Sequence, residues 1–368
     1  MVTETLESLL AFAKSNDEAR IRLLGTQAEE NPLRAFCAAA TEYGYPIGEM
    51  DLIFAGEEAY AAMRRSTNGG GENSPALRGE DDYYELFMAQ LAALPGSRPF
   101  EGAVGVFDSG VGGLSVLAAM KEELPHESFV YFGDSANTPY GNKTETWVRE
   151  RSFELASRLI CCGAKALVIA CNTATAAAVN EIRARYPDLP VIGVEPALKM
   201  AVDAHARAAK ERPGEPYRIL VMATRVTLQL DKYHALADRL ASGATFYPVA
   251  CDGLAERIEK GDLDGEDLHA LLEKQIGPYR DRVDGVVLGC THYPLIKRQI
   301  REILGDVPFF DGSCGVAREL KRRLDLKGIP AGAEENGGVR FLSSKNTDET
   351  MALYRSFLAA ARNALHEQ

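Results

Sequence analysis

The sequence predicts an α/β fold with two pseudo-symmetric lobes, each a mostly parallel sheet flanked by helices, preceded by a small all-α domain. Three observations lead to this fold class. Short apolar, β-branched segments alternate with amphipathic helical segments after residue 102, as in parallel sheets with crossover helices. Two segments, 165–175 and 284–294, share one layout of buried strand, cysteine, small polar residues and helix. Residues 1–95 show only the helical period.

The composition bounds the class of protein. The chain has 368 residues, of which 46% are apolar and 26% charged, so it can build more than one domain. Its net charge of −12 argues against non-specific nucleic-acid binding and against docking on an anionic membrane. The N-terminus lacks the pattern of a signal peptide, and no apolar run is long enough to span a bilayer. With seven cysteines, an odd number, we expect reduced thiols and a cytoplasmic protein.

The N-terminal extension, residues 1–95, is predicted to be helical. In "NPLRAFCAAATEYG", Asn31 is placed to cap a helix that begins at Pro32 and stops at Gly44. The segment "STNGGGENSPALRGE" has the composition of a flexible linker. A second break at 96–102 separates the extension from the rest of the chain.

Eight apolar strand segments follow this break, and helical stretches separate most of them. Strands without polar alternation fit a sheet that is buried on both faces. We assign 103–196 plus 309–365 to lobe 1 and 197–308 to lobe 2. The strand segments are "GAVGVFD", "SFVYFGD", "KALVIAC", "LPVIGVE", "YRILVMAT", "TFYPVAC", "DGVVLGC" and "VPFFDG".

The residues after each strand are candidate site residues, because ligands of open parallel sheets bind at the carboxyl ends of the strands. Two of them are cysteines, Cys171 and Cys290, each followed by small polar residues. We expect a helix after each, one from about Ala174, capped by one of the two residues after Cys171, and one from Pro294. A helix N-terminus favours a thiolate, which is the reactive form of cysteine.

A metal site and a disulfide fit these two cysteines less well. Structural zinc sites use paired ligands, and Cys290 with His292 would form at best half of one, so no metal is predicted. A disulfide between the two cysteines does not fit a reducing compartment. The glycine-rich segment "DSGVGGLSVL" is either a tight strand-to-helix turn or a carboxylate site faced by Asp108 and Ser109. The remaining five cysteines are assigned to packing.

Five segments together resemble the glutamate racemases of the cofactor-independent aspartate/glutamate racemase superfamily, over about residues 103–320. They follow the family's order and spacing: "FDSGVGGLSVL", "YFGDSANTPYG", "IACNTATA", "GVEPA" and "LGCTHYPL". The resemblance implies a reaction without cofactors, in which one thiolate removes the α-proton of glutamate and a thiol on the opposite face returns a proton. It also implies supply of D-glutamate for peptidoglycan, and so for cell-wall biogenesis and cell shape.

By motif, the resemblance assigns the acid/base roles to Cys171, whose counterpart acts on D-glutamate, and to Cys290, whose counterpart acts on L-glutamate. Asp108 resembles the residue that assists Cys171, and His292 the one that assists Cys290. The residues that resemble the substrate-holding groups are Ser109, Tyr140, Gly141, Asn172, Thr173 and Thr291. The residue types agree with this chemistry, since the sequence has no cofactor motif and neutral donors can hold a carboxylate without net charge.

Four further residues are less specific candidates. Glu195 matches an acid that lies near the family's site. Asp134 fits a site residue and an ion-pair or capping residue equally well. Thr224 and Thr227 lie in "ATRVTLQLDKY", after a predicted strand, and fit the family's pattern.

The sequence also departs from the family. Leu230 stands where a serine is usual, and the segment around Asp311 matches an Asp-Ser pattern only loosely. Residues 1–95 have no counterpart in the racemase core, although "LRAFCAAATEYGYPIGEMDLI" faintly resembles a small helical Nif11-type domain. We treat this extension as a candidate binding region for an unknown partner or regulator.

Two other functions stay open on the sequence. An aspartate racemase, or another two-cysteine amino-acid racemase, would share both thiols, although the aspartate enzymes usually carry glutamate where this chain has His292. A regulatory or binding protein on a vestigial racemase core is the alternative of another class, and the intact Cys171, Cys290 and Asp108 speak against it. As partners we expect glutamate as substrate, neither membrane nor nucleic acid, and a homodimer as a candidate assembly.

Overall fold

The computed structural model describes residues 2–26, 31–52, 83–92, 100–208, 216–229, 231–331, 337–345 and 347–365. They divide into two compact units. Unit 1 comprises Met1–Glu101 with Glu154–Ala164, and unit 2 comprises Gly102–Phe153 with Lys165–Gln368. Leu230, the predicted flexible linker and most of the predicted break at 96–102 lie outside the described residues.

Helices account for most of the regular structure. They are α1 (Val2–Ser15), α2 (Asp17–Gly25), α3 (Pro32–Glu42), α4 (Tyr83–Ala92), α5 (Leu114–Glu123), α6 (Glu145–Cys161), α7 (Asn172–Arg185), α8 (Leu198–Ala208), α9 (Arg225–Gln229), α10 (Asp231–Leu240), α11 (Leu254–Glu259), α12 (Glu266–Ile276), α13 (Lys297–Leu304), α14 (Ser313–Lys327) and α15 (Asp348–Leu365). The strands are β1 (Val104–Asp108), β2 (Phe129–Gly133), β3 (Ala166–Ile169), β4 (Val191–Gly193), β5 (Tyr217–Ala223), β6 (Ala244–Ala250), β7 (Gly285–Leu288), β8 (Phe309–Phe310) and β9 (Val339–Ser343).

Unit 1 is helical and has its own apolar core. The predicted cap of α3 is confirmed, since the side chain of Asn31 accepts from the Arg34 N–H at 3.0 Å and Pro32 opens the helix. The chain then turns at Gly44, whose positive φ of 84° suits a residue without a Cβ. The core joins α1 to α4 through buried residues that include Leu9, Leu23, Phe36 and Phe87.

The last turns of α6 belong to this same unit. Gly25 at the end of α2 lies against Arg158 of α6, where a side chain at position 25 would reach ordinary contact distance. Burial lowers the pKa of Arg158, and the charges of Glu18 and Tyr43 act against this. The C-terminal part of α6 therefore contacts the N-terminal helices within unit 1.

Unit 2 contains two parallel sheets, as the alternation of strands and helices predicted. The first sheet has the strand order β4-β3-β1-β2-β9 and the second β6-β5-β7-β8, and each pairing is parallel. The central strands β1, β3 and β7 are buried along their whole length, which explains their unbroken apolar sequences. β8 pairs with β7, so the second sheet reaches two residues past the predicted boundary at 308.

The strand order positions the site. In the first sheet, β1 lies between β2 and β3, so the connections from β1 and β3 run to opposite sides and leave a crevice at their carboxyl ends. In the second sheet, β5 lies between β6 and β7 in the same way. One apolar cluster contains buried residues of both sheets, among them Val106, Val168, Leu220 and Val286.

None of the helices in the described part of the chain is long and apolar enough to cross a membrane.

Candidate active site

The carboxyl ends of four central strands supply one cleft of about 280 Å³. Asp108 ends β1, Cys171 follows β3, Thr224 follows β5 and Cys290 follows β7, so two residues come from each sheet. The cleft is lined by Ser109, Pro139, Tyr140, Gly141, Cys171, Asn172, Thr173, Thr224, Ala255, Cys290, Thr291 and His292. Two thiols that are far apart in the sequence thus open into one space.

Cys171 is the N-cap of α7. Its sulfur accepts from the Ala174 N–H at 3.5 Å, and its thiol donates to Ser109 Oγ at 4.0 Å. The helix thus begins at Asn172, and the prediction that one of the two following residues would cap it was wrong. Burial, followed by the charge of Asp108, raises the pKa of Cys171, while the Ala174 N–H acts in the opposite direction.

Asp108 lies behind Cys171 and is fully buried. Its Oδ2 accepts from the Gly110 N–H at 2.9 Å, and its Oδ1 accepts from Thr291 Oγ1 at 3.4 Å. Burial raises the pKa of this carboxyl, although the charge of His292 and the backbone N–H of Gly110 oppose the rise. Since Thr291 belongs to the second sheet's strand end, the hydrogen bond joins the two sides of the cleft.

Cys290 has different surroundings. The predicted helix from Pro294 is instead a 3-10 turn, Tyr293–Ile296, and α13 begins only at Lys297. The sulfur of Cys290 lies 3.5 Å from His292 Nδ1, and His292 Nε2 lies 2.7 Å from Glu259 Oε1. Burial lowers the pKa of His292, but Cys290 and Glu259 outweigh it and hold that pKa well above the usual value. These two neighbours therefore favour the protonated form of the His292 imidazole.

Glu259 was not among the predicted site residues. It ends α11 and is 33 residues from His292 in the sequence. Its Oε1 also accepts from the Val111 N–H at 2.8 Å, in the glycine-rich turn of the first sheet. The local sequence "LAERIEKG" shows only an amphipathic helix with two acids, Glu256 and Glu259, so no sequence signal distinguishes one carboxylate from the other.

Three threonines form a hydrogen-bonded row at the edge of the cleft. Thr173 Oγ1 lies 3.2 Å from Thr224 Oγ1, which lies 2.9 Å from Thr227 Oγ1. Thr173 and Thr224 line the cleft, whereas Thr227 supports Thr224 from behind. Thr173 opens a helix of lobe 1 and Thr224 follows a strand of lobe 2, so this row is a second polar connection across the site.

Tyr140 and Gly141 line the cleft, but the Tyr140 hydroxyl is turned away to Asp134, to which it donates at 2.7 Å. Asp134 is buried outside the cleft lining and is held by Arg151 through Nε and Nη2, both at 2.8 Å. Burial would raise the pKa of Asp134, but the hydrogen bonds and charge of Arg151 outweigh it and lower that pKa. Asp134 thus positions the loop that carries Tyr140.

Glu195 does not line the cleft. It is exposed and borders a neighbouring cavity of about 410 Å³, whose lining is mostly apolar. Asn172 lines both spaces, and Thr227 lines only the second. The other residues of that cavity are Thr175, Ala176, Val194, Pro196, Leu198, Tyr233 and Leu236.

The chemical groups that the cleft offers are two thiols and a set of hydrogen-bond donors. Among the described residues no lysine or arginine lines it, and its donors besides His292 and the two thiols are hydroxyls, an amide and backbone N–H groups near the start of α7. No group of three or more potential metal ligands occurs in the described ranges. Two thiols on strand ends of different sheets are the arrangement that proton removal on one face and proton return on the other would need.

A family model described as Asp/Glu/Hydantoin racemase matches residues 110–319. Among curated proteins, a glutamate racemase of Clostridium perfringens is 43% identical over 257 residues, which is 69% of this chain and 95% of that protein. A glutamate racemase of Pseudomonas aeruginosa is 45% identical over 234 residues, covering 63% of this chain and 85% of that protein.

Solved structures show the same similarity. The glutamate racemase of Francisella tularensis, in complex with D-glutamate, aligns with a TM-score of 0.60 and 28% identity over 70% of this chain and 93% of that one. The Escherichia coli enzyme, in complex with L-glutamate and an activator, UDP-MurNAc-ala, aligns with a TM-score of 0.57 and 28% identity, over 71% of this chain and 95% of that one.

Proposed function

The chain belongs to the Asp/Glu/hydantoin racemase family and is an amino-acid racemase of the glutamate racemase type, and we propose that it interconverts L- and D-glutamate with two thiols and no cofactor. The observation that carries the mechanism is the opening of Cys171 and Cys290 into one cleft from strand ends of different sheets. Inversion needs a base and an acid on opposite faces of one carbon, and two thiols can exchange these roles in the two directions.

In the proposed reaction, the Cys290 thiolate removes the α-proton of L-glutamate and the Cys171 thiol delivers a proton to the other face. The D-enantiomer reacts by the reverse transfers. The raised pKa of Cys171 keeps its proton available, and the imidazolium of His292 at 3.5 Å stabilises negative charge on the sulfur of Cys290. Each L-to-D turnover leaves Cys290 protonated and Cys171 ionised. Proton exchange with solvent, or the reverse reaction, restores the starting state.

The substrate carboxylates are held by neutral donors. Ser109, Asn172, Thr173, Thr224 and Thr291 face the cleft, and the N-terminus of α7 lies there. Such donors stabilise the charge that develops on the α-carboxylate as the α-proton leaves. This also accounts for the binding of an acid by a chain with a net charge of −12, because the overall charge does not set the field inside the cleft.

The proposed role is supply of D-glutamate for peptidoglycan in the cytoplasm. Glutamate is favoured over aspartate because the chain carries His292 after "GCT", and because the relatives named above are glutamate racemases.

The test is racemisation by the purified full-length chain, followed by circular dichroism from either pure enantiomer. We expect the signal to decay to zero from both sides, at rates unchanged by EDTA or by hydroxylamine, which traps pyridoxal phosphate. Loss of activity with either reagent would contradict the cofactor-free mechanism. Faster racemisation of aspartate than of glutamate would assign the chain to the other substrate.

A further inference from the structure

The hydroxyl of Tyr293 is a polar group of this region that the reaction above does not use. Tyr293 opens the 3-10 turn after Cys290, and its own N–H donates to the Cys290 carbonyl at 3.1 Å. Its side chain is fully buried, and among the described residues its hydroxyl makes no hydrogen bond of ordinary geometry. Phenylalanine would fill this space without burying a polar atom, so packing alone does not explain the hydroxyl.

The polar groups that face this hydroxyl are two thiols, those of Cys251 and Cys290. Cys251 directly follows β6 and is buried, and its thiol donates to the Val249 carbonyl at 3.6 Å. Because its proton is used there, the sulfur of Cys251 offers Tyr293 only lone pairs. The sulfur of Cys290 has His292 Nδ1 at 3.5 Å and the tyrosine hydroxyl as a further neighbour.

We propose that Tyr293 is a positioning residue whose hydroxyl turns between the two sulfurs as Cys290 loses and regains its proton. When Cys290 is a thiolate, the hydroxyl donates to it in a charge-assisted hydrogen bond. When Cys290 is a thiol, the hydroxyl donates to Cys251 and can accept from Cys290. Only the O–H bond rotates, so no proton and no net charge is added to the site. The inference rests on the proposed two-thiol reaction.

The phenol remains a donor throughout. Burial, and then the neighbouring thiols, raise the pKa of Tyr293 well above that of free tyrosine, so it does not act as a base. Other ionisable groups face the same space as Cys290. These are His292 with its partner Glu259, Cys251, Cys171, Tyr293 and, through Thr291, Asp108.

The experiment measures alkylation of Cys290 by iodoacetamide as a function of pH in the full-length chain, with each cysteine quantified by peptide mass spectrometry. In Tyr293→Phe, we expect the midpoint of the Cys290 profile to rise by about one pH unit, which makes alkylation about tenfold slower below the midpoint. Cys171, read in the same digest, should keep its profile. Tyr354→Phe is the matched control, because its buried hydroxyl lies 3.0 Å from the Gly133 carbonyl rather than beside a thiol.

An unmoved Cys290 profile in Tyr293→Phe, with an equal or higher melting temperature, would overturn the proposal. A parallel shift at Cys171 would also overturn it, since that indicates general loosening of the cleft. If Tyr293→Phe fails to fold, Cys251→Ala provides the second test: it leaves the hydroxyl only Cys290 to donate to, so the Cys290 midpoint should fall, and a rise or no change contradicts the inference. Alkylation is read without substrate, so failure of racemisation would count against the proposed function alone.

Discussion

The two thiols of the cleft are one chemical group in unlike surroundings. Cys171 caps a helix and has neutral neighbours, the Ala174 N–H at 3.5 Å and the Ser109 hydroxyl at 4.0 Å. Cys290 precedes a 3-10 turn and lies beside His292, which is paired with Glu259. One wall of the cleft therefore uses a helix N-terminus, neutral dipoles and the buried Asp108 carboxyl, and the other uses the pair of His292 with Glu259.

In the proposed reaction, two thiols with unlike surroundings therefore serve the interconversion of mirror-image substrates. Burial and Asp108 favour the protonated form of Cys171, whereas the His292 imidazolium favours negative charge at Cys290. In the proposed reaction, the form with the proton on Cys171 is the one that accepts L-glutamate. D-glutamate reacts with the form that carries the proton on Cys290.

Removing either thiol should have the largest effect. Cys171→Ser and Cys290→Ser each replace the acid/base group by a hydroxyl that barely ionises at neutral pH, so we expect racemisation to fall by about 10³-fold or more. In heavy water, Cys290→Ser should exchange the α-proton of D-glutamate only, and Cys171→Ser that of L-glutamate only, as NMR can record. Near-native racemisation by either variant, or exchange of the wrong enantiomer, would contradict the assignment of the walls.

The second-largest loss of activity should come from replacing the residue that assists each thiol. We expect the rate of racemisation to fall about 10²-fold for His292→Asn and for Asp108→Asn. The two enantiomers have equal free energies, so kcat/KM must be equal in both directions for every variant and cannot reveal which wall is impaired. The primary deuterium isotope effect on the rate can reveal the impaired wall. With His292→Asn we expect it to increase for α-deuterated L-glutamate, because transfer to Cys290 becomes rate-limiting.

Asp108→Asn is the matched variant on the opposite wall, and there the increase should occur with α-deuterated D-glutamate. Glu259→Gln should show the His292→Asn pattern at smaller size, about tenfold in rate, because the imidazole stays in place without its carboxylate. The same isotope pattern in all three variants would mean that the walls are not independent.

The Cys171 wall also depends on a buried ion pair, and its loss should affect stability and binding together. Because Arg151 lowers the pKa of Asp134, the pair stabilises the fold above about pH 3.9, the unfolded value for aspartate, and this contribution disappears as pH falls through the lowered folded value. Asp134→Asn should cost about 2 kcal/mol at pH 7 and raise KM about tenfold, because Tyr140 loses its anchor.

The control for this prediction is Asp284→Asn on the other sheet. Asp284 makes a similar two-point contact with Arg218, at 3.0 and 2.7 Å, but the arginine is more exposed and the pair lies away from the cleft. We expect a smaller loss in chemical denaturation and an unchanged KM. Equal effects of the two variants on KM would show that the Asp134 pair acts on the fold as a whole.

The sequence predicted the fold class and the strand ends because the alternation of strand and helix is a local pattern, and parallel topology then brings the strand ends together. What it missed depends on tertiary contacts. Capping preferences favour Asn172 or Thr173 over a thiol, so nothing local identifies Cys171 as the cap. Proline is as compatible with the start of a 3-10 turn as with the start of an α-helix. Pro294 therefore did not reveal that Cys290, unlike Cys171, does not precede an α-helix directly.

Glu259 was missed for a related reason. Its role arises from contacts with His292 and Val111, which are 33 and 148 residues away in the sequence. Glu256 lies on the same helix and differs from Glu259 only in what the fold places opposite. Asp134 is the opposite case. Its position at the end of a strand made it a candidate site residue, but the structure pairs it with Arg151 outside the cleft.

The smallest predicted effects concern the row of threonines between the walls and the acid beyond it. Thr224→Val removes the hydroxyl that lies between Thr173 and Thr227, which leaves both partners one hydrogen bond short. A hydrogen bond of this kind contributes about 1 kcal/mol, so we expect about a fivefold rise in KM with little change in kcat.

Glu195→Gln should change kcat/KM less than about twofold, because this exposed side chain does not line the cleft and a single exposed charge is well screened. Steady-state kinetics on Thr224→Val and Glu195→Gln test this order of effects. If Glu195→Gln lowered kcat/KM more than Thr224→Val, the active site would extend from the thiol cleft into the neighbouring cavity, and the residues of that cavity would form a third wall.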